Sequence, residues 1–226
     1  RSSDLASGSP ANPKVPMSWN RYYDYAAITE VCKKLAKAYP DLVKVESMGK
    51  SFMGKEMWVM TISDFKTGDP SKKPAMYIDG NIHSNEIQGS EFALYTAWYL
   101  AESFADTKHI QELLADKTFY IAPTINPDAR DNFIHAANNA NSPRSGMIPV
   151  DNDRDGAINE DGYDDLDGDG HIVFMRRKNP NGRLKADQND PRRMISVGVD
   201  QQGEYELLGY EGIDNDGDGD VNEDGE

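Results

Sequence analysis

Two dodecapeptides near the end of this 226-residue chain, DNDRDGAINEDG at 151–162 and DNDGDGDVNEDG at 214–225, agree at nine of their twelve positions. A third run, DLDGDGHI at 165–172, repeats the first eight positions of the pattern and then departs. The repeat constrains the fold strongly, because segments this acidic and this poor in apolar residues cannot be ordered by hydrophobic burial. They also lie where regular patterning stops. Beyond Asp128 no convincing helical period remains, only short strand-like runs at HIVFMRR, MISVGV and YELLGY. Loops that long need another source of order.

The repeat itself suggests that source. Carboxylates at positions one, three and five, glycine at six, an aliphatic residue at eight and a polar one at nine form the arrangement that wraps oxygens around Ca²⁺, the glycine permitting the sharp turn. The expected ligands are Asp151, Asp153, Asp155, the carbonyl of Ala157, Glu160 and Asp161 in the first copy, and Asp165, Asp167, Asp169 and the carbonyl of His171 in the run at 165–172. In the last copy they are Asp214, Asp216, Asp218, Asp220, Glu223 and Asp224. None of the three carries an acid at position twelve, so neighbouring loops are expected to share acids around a common cluster. Two or more structural calcium ions are therefore expected, in insertions at 151–172 and 214–226. Weak sites of this kind fill where calcium is plentiful, which points to a secreted, extracellular protein.

Charge supports the division. The net charge of −15 is concentrated: residues 151–170 hold nine acids and residues 214–226 seven, with Arg154 the one base in either window. The remainder is neutral, with 23 acids against 23 bases. Neither part offers a basic face for nucleic acid. The longest apolar run, FALYTAWYLA at 92–101, is half of what crosses a bilayer, so no membrane partner is expected. A single cysteine, Cys32, excludes an internal disulfide framework.

Ahead of the acidic segments the periods are clear. Residues 1–17, small and proline-rich, read as an extended, poorly ordered arm, and 18–226 as one domain. Ile28, Val31, Cys32, Leu35 and Tyr39 recur on one helical face that Pro40 ends. LVKVES and MWVMTIS flank the glycine-bearing turn GKSFMGKE, as in two paired strands. PAMYIDGNI reads as a third strand buried on both faces. A helix is expected from about 85 to 105 on the stripe Leu94, Ala97, Trp98, Ala101 and Phe104, then a short helix HIQELLADK and the strand TFYIAPTINP. This order predicts an α/β fold, with helices on the faces of a mostly parallel or mixed sheet and ligands bound beyond the strands' carboxyl ends.

At one such end stands IHSNE, which places His83 and Glu86 three residues apart where strand gives way to helix. Alone the spacing is weak, and a histidine capping a helix beside an exposed acid explains it as well. INPDARDNF, at the end of the next long strand, adds a second loop in the same region. With DGNIHSNE, TINPDAR and the later FMRRKNPNG, the chain resembles the zinc carboxypeptidases from about 18 to 132. The resemblance implies an incomplete α/β/α carboxypeptidase sandwich, one catalytic zinc held by His83 and Glu86, and Arg177 as the cation beside the developing oxyanion, with Arg176 the neighbouring candidate. In that chemistry zinc lowers the pKa of a water and polarises the peptide carbonyl. The implied reaction releases C-terminal amino acids from peptides or proteins.

Two departures touch substrate contacts: Asn85 stands where many relatives carry arginine, and Ala129 where glycine is usual after NPD. A larger one concerns the third zinc ligand and the general-base glutamate, which the family carries farther downstream. His109, His135 and His171 are poor substitutes for that ligand, and GVDQQGE at 198–204 lacks the asparagine and arginine pair that grips a substrate carboxylate. The chain is thus expected to be the amino-terminal part of a catalytic domain, inactive without its C-terminal remainder. The alternatives are a related peptidase acting on peptidoglycan stem peptides, and a non-catalytic, calcium-dependent binding module on the same scaffold.

Overall fold

Helix α1 (Tyr25–Ala38) begins where the Asp24 carboxylate accepts from the backbone N–H of Ala27, satisfying one donor that the first turn leaves open. It buries Ile28, Val31, Cys32 and Leu35, the expected face, while Tyr39 is only partly covered. Strands β1 (Val43–Lys50) and β2 (Glu56–Ile62) follow as an antiparallel hairpin, then β3 (Ala75–Asp79), α2 (Gln88–Ser103), α3 (Lys108–Asp116), β4 (Thr118–Ala122) and α4 (Pro127–His135). The computed structural model describes residues 9–139, 146–151, 154, 156–159, 162–215, 217, 219 and 221–222.

The chain divides into two compact units, Arg1–His135 with Pro143–Met147, and Ala136–Ser142 with Ile148–Glu226. In the first, the strands lie in the order β1-β2-β4-β3. β2 meets β4 antiparallel, and β3 runs parallel to β4, the two joined through α2 and α3 as a parallel pair requires. The α/β class is as expected. The core gathers Ile28, Leu35, Met60, Ile62, Leu94, Trp98 and Ile121, each wholly enclosed. Each such side chain contributes about 1.5–3 kcal/mol by leaving water.

Three expectations need correction. β3 is an edge strand, not one buried on both faces, and Met76 and Tyr77 are more than half exposed. An apolar run cannot distinguish a central strand from an edge strand. α2 begins at Gln88 rather than 85, because Glu86 N–H bonds back to the His83 carbonyl in a separate turn. The end of the leading arm is packed: Val15 and Met17 are buried, Lys14 and Val15 N–H donate to the Glu102 carboxylate, and Trp98 Nε1 donates to the Val15 carbonyl. That segment is held by a buried carboxylate on α2, which local composition does not report.

The second unit is built of strands. β5 (Asn138–Asn139) pairs in parallel with β6 (His171–Ile172). β7 (Phe174–Lys178), β8 (Leu184–Ala186), β9 (Met194–Ser196) and β10 (Tyr205–Tyr210) form an antiparallel sheet in the order β7-β10-β8-β9. Among its described residues Val197 is the one apolar side chain fully buried. No helix among the described residues of the chain is long and apolar enough to cross a membrane.

Candidate metal centre

Past the end of β3 the chain keeps its hold on β4: Gly80 N–H donates to the Ala122 carbonyl, and the Gly80 carbonyl accepts from Ile125 N–H. Asn81 then takes a left-handed conformation, φ 57°, which asparagine tolerates better than most residues. Its side-chain NH₂ donates to the carbonyls of His83, at 2.5 Å, and Ser84, at 3.1 Å. The turn that follows brings His83 Nδ1 to 3.0 Å from Glu86 Oε2. Both side chains reach the surface, His83 about one-third exposed and Glu86 about half. Beside them lies an open cavity of about 440 Å³, lined by Asp79, Asn81, Ile82, Asn85, Glu86 and Gln88 among others.

The second loop of the motif supports the first. Asn126 Nδ2 donates to the Ile82 carbonyl at 3.1 Å, while the Asn126 Oδ1 accepts from Ala129 N–H. Asp128, buried, accepts from Ser51 Oγ and Met53 N–H and so fastens the β1–β2 turn to α4. Arg130 is fully enclosed, with Nη2 2.8 Å from Glu91 Oε1 and Nη1 2.9 Å from Asn81 Oδ1. Burial pushes the Glu91 carboxyl up from its ordinary value and the Arg130 guanidinium down, each opposed by the other's charge. Sequence reasoning missed Asn81, Arg130 and Glu91 as parts of this centre; the bonds by which Arg130 joins Glu91, Asn81 and Tyr23 span 39, 49 and 107 residues.

An imidazole nitrogen and a carboxylate oxygen on one turn are donors that zinc takes. The pair therefore fits part of a zinc site, two ligands of the three that a catalytic site needs. Among the described residues no third histidine, cysteine or carboxylate converges on it. His109 lies in the first turn of α3, and His135 sits 3.5 Å from Asp24 and 3.6 Å from Asp131. His171 is in β6, its Nδ1 3.2 Å from Asn138 Nδ2.

The remaining expected residues fall in the second unit. Arg177 is held by Glu206 across β7 and β10, with Nη2 2.6 Å and Nε 2.7 Å from Oε1. Asn179 and Arg177 together hold the Glu206 carboxyl below its ordinary value. Of the acidic loops, Asp153, Asp155, Glu160, Asp161, Asp216, Asp218, Asp220, Glu223 and Asp224 lie outside the described residues. Asp165 and Asp167 bring carboxylate oxygens within 4.8 Å of each other and of Glu211, a buried residue the repeat did not reveal. Glu211 stands three positions ahead of Asp214, and its one signal is that adjacency. Gly156, Gly170 and Gly219, the sixth residues of the three copies, have φ of 105°, 85° and 107°. The first carboxylate of each copy accepts backbone N–H groups of its own loop: Asp151 from Arg154, Asp165 from Asp169 and Gly170, Asp214 from Gly217 and Gly219. Asp169 accepts from His171 N–H, and Ala157 follows Gly156.

Comparison with known proteins gives a consistent set of likenesses. The profile of the family described as zinc carboxypeptidase matches residues 28–154. The chain is 35% identical to carboxypeptidase B of Astacus astacus over 113 residues, 50% of this chain and 35% of that protein. Against carboxypeptidase Z of Rattus norvegicus it is 33% identical over 108 residues, covering 47% and 17%. It thus spans about a third or less of the length of these relatives. Among solved structures, carboxypeptidase A from Helicoverpa armigera aligns with 56% of this chain and 30% of its own at 23% identity, TM-score 0.48. Thrombin activatable fibrinolysis inhibitor aligns with 50% and 28% at 27% identity, TM-score 0.44.

Proposed function

The chain belongs to the zinc carboxypeptidase family, and from that premise we propose that it is the amino-terminal part of the α/β/α catalytic domain of an enzyme releasing C-terminal residues from peptides or proteins. The observation that carries this is the 3.0 Å approach of His83 Nδ1 to Glu86 Oε2 on the turn between β3 and α2, inside the matched segment. These two residues would hold one zinc ion. When bound, zinc acts as a Lewis acid on the scissile carbonyl and acidifies water. The chain's own contribution is to fix the two ligands at a strand's carboxyl end, where the neighbouring cavity lets an extended peptide approach. Arg177 is paired with Glu206 in the second unit, and its part as the oxyanion cation rests on the family resemblance alone.

Two ligands hold zinc weakly, and the third, with the general base, would come from the C-terminal remainder of the domain. Equilibrium dialysis against zinc in calcium-saturated buffer, followed by assay of residue release from a peptide with that remainder added, tests the reading. The expected result is weak uptake by the chain, lost in His83→Ala and Glu86→Ala, and peptidase activity only in the reconstituted protein. Uptake unchanged in both variants would overturn the ligand assignment, and release by this chain alone would overturn the division of the site.

The second unit carries a further reading: structural calcium held by Asp165, Asp167 and Glu211 and by the two flanking repeats. It is supported by the converging carboxylates and by the shared backbone conformation of the three sixth-position glycines. Such weak loops suit an extracellular setting.

A further inference from the structure

Three successive carbonyls of the metal turn, those of Ile82, His83 and Ser84, each accept a hydrogen bond from a side-chain amide: Asn126 for the first, Asn81 for the other two. Both asparagines are anchored at the start of α4, Asn126 through Ala129 N–H and Asn81 through Arg130 Nη1. We propose that Arg130 and Asn81 are positioning residues for the metal pair, the guanidinium setting which end of the Asn81 amide faces the turn that carries His83 and Glu86. This rests on the reading of His83 and Glu86 as zinc ligands.

The argument turns on what each group can do. An asparagine amide has an acceptor at one end and two donors at the other, and either end fits the same space. A guanidinium has five N–H donors and no acceptor. Whatever faces Arg130 Nη1 must therefore be the amide oxygen, so the Asn81 NH₂ is turned toward the His83 and Ser84 carbonyls, which need donors. Arg130 is itself fully buried. Its five hydrogen bonds reach four acceptors: Nε and Nη2 both the Tyr23 carbonyl, Nη1 Asn81 Oδ1 and the Ile87 carbonyl, and Nη2 also Glu91 Oε1. Asn81 Oδ1 also accepts from Ser90 Oγ at 3.4 Å, and Asn81 is almost wholly buried.

Burying an arginine completely is expensive, and an apolar side chain of similar volume would often serve stability as well. A guanidinium adds direction that an apolar group lacks. Outer groups that orient metal ligands in this way typically change affinity by 10- to 100-fold when removed.

Asn81→Asp separates positioning from packing. The substitution preserves shape and keeps an oxygen on Arg130, with added charge, but presents an acceptor to the two carbonyls. Zinc titration of the whole chain in calcium-saturated buffer, followed through the His83 imidazole resonance, reads the effect. The expected result is a midpoint 10- to 100-fold higher than in the unsubstituted chain with a thermal midpoint changed little. Asn81→Gly, which accepts the positive φ and lacks the amide, should shift the titration in the same direction if Asn81→Asp does not fold. A His83 resonance in the unsubstituted chain that ignores zinc would remove the zinc reading and this proposal with it. A normal His83 titration that is unchanged in both folded variants would overturn the positioning role alone.

Discussion

Gly80 has no room for a side chain. A Cβ there would stand 2.5 Å from the Gly89 carbonyl oxygen and 2.8 Å from that of Pro123, backbone atoms that cannot swing aside. Gly80→Ala should therefore cost about 1–3 kcal/mol or more through forced backbone displacement. Gly54, in the β1–β2 turn, provides the contrast, with φ +83° and nothing within 4 Å of a Cβ. Gly54→Ala should cost only the left-handed conformation itself, about 1–2 kcal/mol. Urea unfolding of both variants checks the order, and a Gly80 variant no less stable than the Gly54 one would show that the β3 to α2 junction can yield. The same junction marks what is legible residue by residue. Ligands three positions apart can be read from a string because one turn brings them together. Asn81, Arg130 and Glu211 cannot, because their roles depend on contacts with residues far along the chain, 49 positions between Asn81 and Arg130 and 45 between Leu166 and Glu211.

Among the elements, α4 is the clamp of the first unit, and it shows no periodic signal. Its buried positions are Pro127, Asp128, Ala129 and Arg130, half of them charged, so a search for an apolar stripe passes over it. α1 and α2 were legible for the opposite reason, since an apolar face packed on a core leaves the 3.6-residue period in the sequence. The clamp's outer contact is titratable. Asp131 accepts from Lys55 Nζ at 2.7 Å and from Tyr25 N–H at 3.2 Å. Burial alone would raise its pKa, but these bonds and the nearby positive charge outweigh it and hold the carboxyl below its ordinary 3.8. A depressed folded-state pKa means that the stabilisation is complete above that ordinary value and is lost as pH falls through the lower, folded one. For a pair this exposed the contribution is about 1 kcal/mol at most. Asp131→Asn should thus be less stable than the unsubstituted chain by a constant margin near neutral pH, and the margin should close below about pH 3.8. Thermal unfolding across pH 2–7 measures it, and a margin persisting at pH 2 would show that the charge is not what Asp131 contributes.

At the scale of the molecule the two units are stabilised differently. The first encloses more than a dozen apolar side chains, whereas the second, among its described residues, encloses Val197 alone. Local periodicity reports elements and not which sheet they join, so the sequence signals this unit only by its acidic, helix-free composition. A unit with so little apolar burial needs another favourable term, and its concentrated carboxylates are by themselves unfavourable, repelling one another at neutral pH. A bound cation reverses that sign. Binding only to the folded unit, calcium at a hundred times its dissociation constant would add about 2.7 kcal/mol per site. Removing calcium should therefore speed hydrogen exchange throughout β7 to β10 and at Gly170 and Gly219, whose amides rest on Asp165 and Asp214, and leave α1, α2 and β4 as protected as before. Adding calcium back should restore protection, at a higher midpoint in Glu211→Gln, because Glu211 joins Asp165 and Asp167. If exchange in the second unit is the same with and without calcium, the repeats are solvated acidic loops, and the order of that unit must come from its backbone ladders and the Tyr163, Phe174 and Tyr210 ring contacts.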